Sequence, residues 1–184
     1  MSYIIKPAAT LFITAVVIIA ALSFVYNYTY EPIQINRLRR QEAAMRAVLP
    51  QATDFRQIQT ETSGSMVGIF EGLSNDTLVG FVVSLSPQGY SGNIDLMVGI
   101  SIPDELVTGM RIVQHSETPG LGALAVRPDF YRRFDNRPLV PLNVVRTTPG
   151  EHDIATITAS TITTRAITNA VNEAMQWYLT AGRR

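Results

Sequence analysis

Two short stretches hold the residues whose types and spacing could do chemistry. The first is Ala155-Thr-Ile-Thr-Ala-Ser-Thr-Ile-Thr-Thr164, where hydroxyl side chains crowd the entry to a helical pattern. One reading is a capping cluster, in which a Ser or Thr accepts a bond from an orphan amide of the first turn. The other uses the same amides: free N–H groups and a partial positive charge attract a phosphate, and a hydroxyl at that spot can be esterified by it. The second stretch is His115-Ser-Glu-Thr-Pro-Gly-Leu-Gly122. Pro119-Gly120 fits a type II turn, with Gly at the positive-φ position, and Gly122 allows close backbone approach to something flat. A connecting loop needs only the turn, yet Glu117, Thr118 and a second glycine surround it.

Other chemistries are excluded by composition. The chain has no Cys and only His115 and His152 as histidines. That removes disulfides, thiolate zinc sites, cysteine-ligated iron–sulfur clusters, Cys nucleophiles and multi-histidine metal sites. No Ser/His/Asp constellation or Gly-rich nucleotide loop is present, so a tethered hydrolase is disfavoured and no catalytic acid, base or nucleophile is assigned. Lys plus Arg and Asp plus Glu are each 15, so no basic surplus draws the chain to nucleic acid. With 46% hydrophobic residues the chain is too apolar to stay disordered.

The elements that position these stretches begin with an anchor. Pro7 to Tyr30 contains no charged residue. About 20 apolar residues at about 1.5 Å each span the roughly 30 Å hydrocarbon layer of a membrane. Tyr26, Tyr28 and Tyr30 suit the headgroup region, and Glu31-Pro32 stops the apolar pattern. The run is longer than a cleaved signal's apolar core and lacks a small-x-small site after it, which predicts an uncleaved anchor. This divides the chain into a tail over 1–6, an anchor over 7–30 and one domain over 31–184. Arg37, Arg39 and Arg40 outnumber Lys6, and a simple positive-inside count puts the domain in the cytoplasm.

Beyond the anchor, Ile33, Ile35, Leu38, Ala43, Ala44, Ala47 and Val48 fall on one face of a helix that Pro50 ends, with the arginines on the wet face. Strands are predicted over 66–70, 78–85, 94–102 and 106–114, with turns at Ser74-Asn-Asp76 and Pro87-Gln-Gly89 and a bend at Thr108-Gly109. A short helix over 128–134, a strand over 139–145 and a final helix over 163–178 complete the pattern. That last helix turns Ala166, Ile167, Ala170, Val171, Ala174, Met175 and Tyr178 inward and Asn169, Asn172 and Glu173 outward. The sum is an α+β domain with an antiparallel sheet and flanking helices on a membrane tether.

Taken together, the motifs resemble a known family. Thr158-Ala-Ser-Thr161 with Ile162-Thr163 resembles the Ser/Thr-Gly-Ala-Thr-x-Ser/Thr motif of covalent-flavin domains. Ser116-Glu-Thr-Pro-Gly-Leu-Gly122 is similar to the loop that accompanies it, and Gly89-Tyr-Ser-Gly92 with Ile94 to Gly99 to a third family segment. With the single anchor, the likeness covers nearly the whole chain and points to the RnfG family of Rnf-type electron-transport complexes. The NqrC family of the sodium-pumping NADH:quinone oxidoreductase shares the domain and is the alternative.

The resemblance implies FMN joined by a phosphoester to Thr161, installed by a separate flavin transferase that uses FAD as donor and Mg²⁺. It implies that the flavin relays electrons inside a membrane complex coupling ferredoxin and NAD to ion movement, with other Rnf subunits as partners and no independent turnover. It also implies a domain on the outer face of the cytoplasmic membrane, against the arginine count. The cofactor-binding set carried over is Thr158, Ala159, Ser160, Thr161, Ile162 and Thr163, with Glu117, Thr118, Pro119, Gly120, Leu121, Gly122, Gly89 and Tyr90 around the ring. Glu117 is a candidate for bonding the flavin or tuning its potential, the alternative being a solvated loop carboxylate. Ala159-Ser160 departs from the family's Gly-Ala, adding a methyl group and a second hydroxyl beside the acceptor. A flavin-free assembly role is the reading that this departure keeps open.

Overall fold

The computed structural model describes residues 2–58 and 64–183. The chain divides between Arg39 and Arg40 into two compact units. The first is the apolar part of helix α1 (Ser2–Val48), which is long and apolar enough to cross a membrane. Leu11, Phe12, Ile18, Ile19, Leu22 and Phe24 are all exposed, as lipid-facing side chains must be. Its hydroxyls are satisfied within the helix: Thr10 donates to the Lys6 carbonyl at 3.0 Å and Thr29 to that of Val25 at 2.7 Å. The helix begins at Ser2, within the stretch read as a tail, and runs on through Pro32. Proline removes one donor from the ladder, and the good helix formers of Leu38 to Ala47 carry the helix onward.

The second unit is an α+β domain. Strands β1 (Asp54–Ile58), β2 (Met66–Ser74), β3 (Thr77–Leu85), β4 (Ile94–Ser101), β5 (Leu106–His115) and β6 (Arg137–Pro138) form one antiparallel sheet in sequence order. The β2–β3 hairpin turns at Asn75 and Asp76, both at positive φ (50° and 60°), the pair of left-handed residues that a tight hairpin needs. At the predicted bend, Gly99 faces Gly109 and Ile100 faces Val107, so Thr108 is a bulge; its hydroxyl donates to the Val48 carbonyl.

Alternation along the central strands splits the core in two. Phe81, Val83, Leu96 and Val98 face α3 (Thr161–Trp177), whose Ile167, Ala170, Val171 and Ala174 are buried against them. Val82 and Met97 face the end of α1 through Ala44, Met45, Val48 and Leu49. Both faces are covered, so β4 is buried almost throughout. Gly72, Gly80 and Gly99 form a stripe on the α1 side, where a Cβ would collide with Leu49 or with the Val48 carbonyl.

Several expectations are corrected. On α1, Ile33, Ile35 and Leu38 are exposed, as are Ala43 and Ala47, and Met45, with Leu49 just beyond the helix, takes their place in the buried stripe. Of the predicted strand over 139–145 only the short β7 (Asn143–Val145) is formed, and it pairs in parallel with β8 (Asp153–Ala155). The final helix starts at Thr161, two residues early, and ends in a π-helical turn, Tyr178–Gly182. Asn172 and Glu173 are not solvent-facing. Asn172 accepts from the Leu142 amide at 2.8 Å and donates to the Leu142 carbonyl at 2.9 Å, while Glu173 accepts from the Ser65 hydroxyl at 2.6 Å. The short helix over 128–134 is observed as α2 (Pro128–Tyr131) followed by a 3₁₀ turn, Arg132–Phe134.

Candidate functional site

The chain reaches the hydroxyl-rich segment through β8 and leaves it in α3. Three hydrogen bonds fix the segment between them. The Ser160 amide donates to the Ile157 carbonyl at 2.9 Å, the Ile157 amide to the Thr164 hydroxyl at 3.1 Å, and that hydroxyl to the Ser160 carbonyl at 2.9 Å. Thr164 thus braces the loop from inside, and no side chain caps the helix at Ser160. The capping cluster that composition allowed is therefore not formed at the helix start.

Ala159 has φ +59°, a left-handed conformation that costs a residue with a Cβ about 1–2 kcal/mol. This is the position where the family motif carries Gly, so the backbone shape explains the Gly and survives its replacement.

The accompanying loop folds as expected around Pro119-Gly120. Gly120 has φ +78°, and the Leu121 amide donates to the Thr118 carbonyl at 3.2 Å, closing a type II turn. A 3₁₀ turn, Gly122–Val126, follows. Glu117 is 6% exposed, which removes the solvated-loop reading. One of its oxygens accepts the amides of Tyr90 (2.8 Å) and Ser91 (3.0 Å), and the other accepts the Thr163 hydroxyl at 2.6 Å. Its own amide donates to His115 Nδ1 at 3.2 Å. Burial alone pushes this carboxyl up; the bonds from Thr163, Ser91 and Tyr90 and the nearby His115 outweigh it and hold Glu117 below the ordinary carboxylate range.

Glu117 also explains two glycines. A Cβ on Gly89 would collide with one carboxylate oxygen, and a Cβ on Gly122 would collide with the other and come within 2.8 Å of the Thr163 hydroxyl. The close approach expected at Gly122 is thus made to this carboxylate.

These segments enclose a cavity of about 370 Å³ lined by Tyr90, Glu117, Thr118, Leu121, Gly122, Ala159, Ser160, Thr161, Ile162 and Thr163. Ten of the residues singled out in the sequence are brought together there. Four are not in the wall: Gly89 lies behind Glu117, Pro119 and Gly120 form the turn above, and Thr158 lines a different depression with Arg127 and Arg133. Ser91 and Thr164 are supporting residues that lie in the segments the sequence marks out but outside the cofactor-binding set. Their signals are the Ser between Gly89-Tyr90 and Gly92, and the last hydroxyl of the Thr-rich run.

The hydroxyls of the segment are not equivalent. Thr163 (1% exposed) is committed to Glu117 and Thr164 is fully buried, while Ser160 is 6% exposed. Thr161 is half-buried, lines the cavity and has no hydrogen-bond partner among the described residues. Tyr90 (71% exposed), Ile162 (55%) and Leu121 (42%) present apolar surface at the rim. The wall contains no basic side chain.

Residues 89–176, which include the whole site, match the FMN-binding domain family. Over 94% of its length the chain is 31% identical to the G-type subunit of the ion-translocating oxidoreductase complex of Methanosarcina acetivorans, covering 93% of that protein. The chain belongs to the RnfG family. A second relative is the G-type subunit of the Na⁺-translocating ferredoxin:NAD⁺ oxidoreductase complex of Acetobacterium woodii, 32% identical over 94% of this chain and 90% of that one. The crystal structure of NqrC, from the Na⁺-translocating NADH-quinone reductase of Parabacteroides distasonis, superimposes with a TM-score of 0.51 at 19% identity. It covers 61% of this chain and 60% of that one, a likeness of fold.

Proposed function

We propose that this RnfG-family chain is an electron-transfer subunit of a membrane-bound, ion-translocating ferredoxin:NAD⁺ oxidoreductase complex, and that it carries FMN attached through phosphate to Thr161. The carrying observation is Thr161 itself. It alone combines a place in the cavity wall, partial exposure and a hydroxyl with no protein partner at an uncapped helix start. Membership of the RnfG family and the match to the FMN-binding domain support the cofactor and the complex.

The residues present fit the group. The uncapped first turn of α3 offers amide donors to a phosphate on Thr161. A cavity of about 370 Å³ lies in the range of ligand sites, and its Tyr90, Leu121 and Ile162 rim suits a flat aromatic ring. Bound FMN supplies reversible electron storage; the chain's part is to hold it, orient it and set its surroundings. A covalent bond abolishes dissociation, which matters for a domain facing the dilute outer side of the membrane, where we place it. A flavin transferase with FAD and Mg²⁺ completes the scheme, AMP being the half of FAD left over. Neighbouring subunits supply donor and acceptor.

The test is the intact mass of the full chain co-expressed with a flavin transferase, with peptide mapping across 155–165. The expected result is one added FMN on Thr161, lost in Thr161→Ala and kept in Ser160→Ala. An unmodified chain, beside an acceptor that the same transferase does modify, overturns the reading in favour of a flavin-free assembly role. Because the chain has no Cys, single cysteines placed in the domain report its side of the membrane without background. Labelling by an impermeant thiol reagent from the outside is expected.

A further inference from the structure

We infer that Glu117 places a fixed negative charge in the wall of the cavity and thereby lowers the reduction potential of the group held there. This rests on the reading that FMN occupies the cavity.

Everything around the carboxylate is a donor. Two consecutive amides, Tyr90 and Ser91, point at one oxygen, and the Thr163 hydroxyl points at the other. Three donors converge on the two oxygens, two of them backbone amides that cannot accept, and this arrangement favours the anion over the protonated acid. No Lys or Arg lies within ion-pair distance among the described residues, so the charge is stabilised chiefly by the converging dipoles, with the nearby His115 adding to them. Gly89 and Gly122 forgo side chains that would occupy the carboxylate's space. Three segments distant in sequence therefore converge on one charge.

Packing alone does not account for this. A buried carboxylate without a Lys or Arg partner is a poor way to hold loops together, and an apolar side chain of similar volume generally does so at lower cost. What the carboxylate adds is a field. It lines the cavity, where water is partly excluded and a unit charge is felt more strongly than in bulk. Electrons added to a ring in that cavity meet this charge, so reduction becomes less favourable than in the same cavity without it.

The experiment uses the full chain, loaded by its flavin transferase, as wild type and as Glu117→Gln and Glu117→Asp. Gln keeps the size and an oxygen for the two amides, and its NH₂ can face a Thr163 hydroxyl turned to accept, so the shape stays and the charge goes. The loaded Glu117→Gln chain is expected to be reduced more easily. At the wild-type midpoint its reduced-to-oxidised ratio rises about tenfold, while Glu117→Asp stays near wild type. A loaded Glu117→Gln chain with an unchanged potential overturns the inference and leaves the FMN reading intact. Should Glu117→Gln fail to take flavin while Glu117→Asp takes it, the potentials of FMN added to unloaded wild type and unloaded Glu117→Gln are compared instead, and equal values overturn the inference. Failure of both makes Glu117 a matter of shape and overturns it. A wild-type chain without flavin defeats the underlying reading as well, which the mass measurement shows separately.

Discussion

The two faces of the six-stranded sheet are built differently. On the α1 side, Ala44, Met45, Val48, Leu49, Val82 and Met97 make a small apolar contact, and the stripe of Gly72, Gly80 and Gly99 lets Leu49 and the Val48 carbonyl sink onto the strands. On the α3 side a larger apolar cluster ends in a polar corner where Glu117, Thr163, Thr164 and Ser160 are buried. The first face is stabilised almost wholly by apolar contact, with the Thr108 hydroxyl on the Val48 carbonyl beside it. The second puts buried hydrogen bonds next to a cavity, an arrangement that apolar packing does not require. The difference separates scaffold from site: damage to the α1 face should change how much protein is folded, and damage to the polar corner should change what the folded protein can hold.

Leu49→Ala is the strongest attack on the scaffold side. Leu49 is fully buried, and the change is expected to lower stability by about 2–5 kcal/mol in urea or thermal unfolding. Flavin per folded chain should stay the same; a selective loss of flavin would erase the distinction between the faces. Glu117→Ala attacks the other side. It strands the Tyr90 and Ser91 amides and the Thr163 hydroxyl, for an expected cost of about 1–3 kcal/mol, with flavin attachment falling further than stability does.

Acid should sharpen the comparison. Glu117 titrates below its ordinary value of 4.5 when folded. Its contribution is therefore fully present above that value and is lost as pH falls through the lower folded one. Asp104, lowered by Ser101 and Gln51, acts with the same sign, so the informative quantity is the difference between wild type and Glu117→Gln. That difference should shrink as pH falls below 4.5 in pH-dependent unfolding. The smallest effect is a gain: Ala159→Gly relieves the left-handed strain at φ +59° and is expected to stabilise by up to about 1 kcal/mol, partly offset by the freer unfolded chain. Loss of stability in this variant would mean that the strain is not there.

How much of this was legible in the sequence depended on range. The alternation of β2 to β5, the Asn75-Asp76 turn and the Pro119-Gly120 turn are local, and the structure repeats them. Strand β1 is a mostly exposed edge, Asp-Phe-Arg-Gln-Ile, with too little apolar content to declare itself, and β7 and β8 have three residues each. Helix α3 recruits Thr161 and Ile162 at its start, although β-branched residues are weak helix formers there, because burial of the next turn decides the matter. The site residues could be grouped by type and motif. The burial of Glu117 could not, since its donors are 26, 27 and 46 residues away and local pattern carries no trace of such pairings.

The fit of Gly89 and Gly122 around one carboxylate also constrains how this protein can change. Alanine at either glycine meets an oxygen of Glu117, so each such step is blocked while the acid stays. Replacing the acid by a smaller residue opens only part of that space, since a Cβ on Gly89 still meets Ile94 at 2.7 Å and one on Gly122 the Thr163 hydroxyl at 2.8 Å. The three positions are thus inherited as a unit, with the acid and its packed neighbours together keeping both glycines bare.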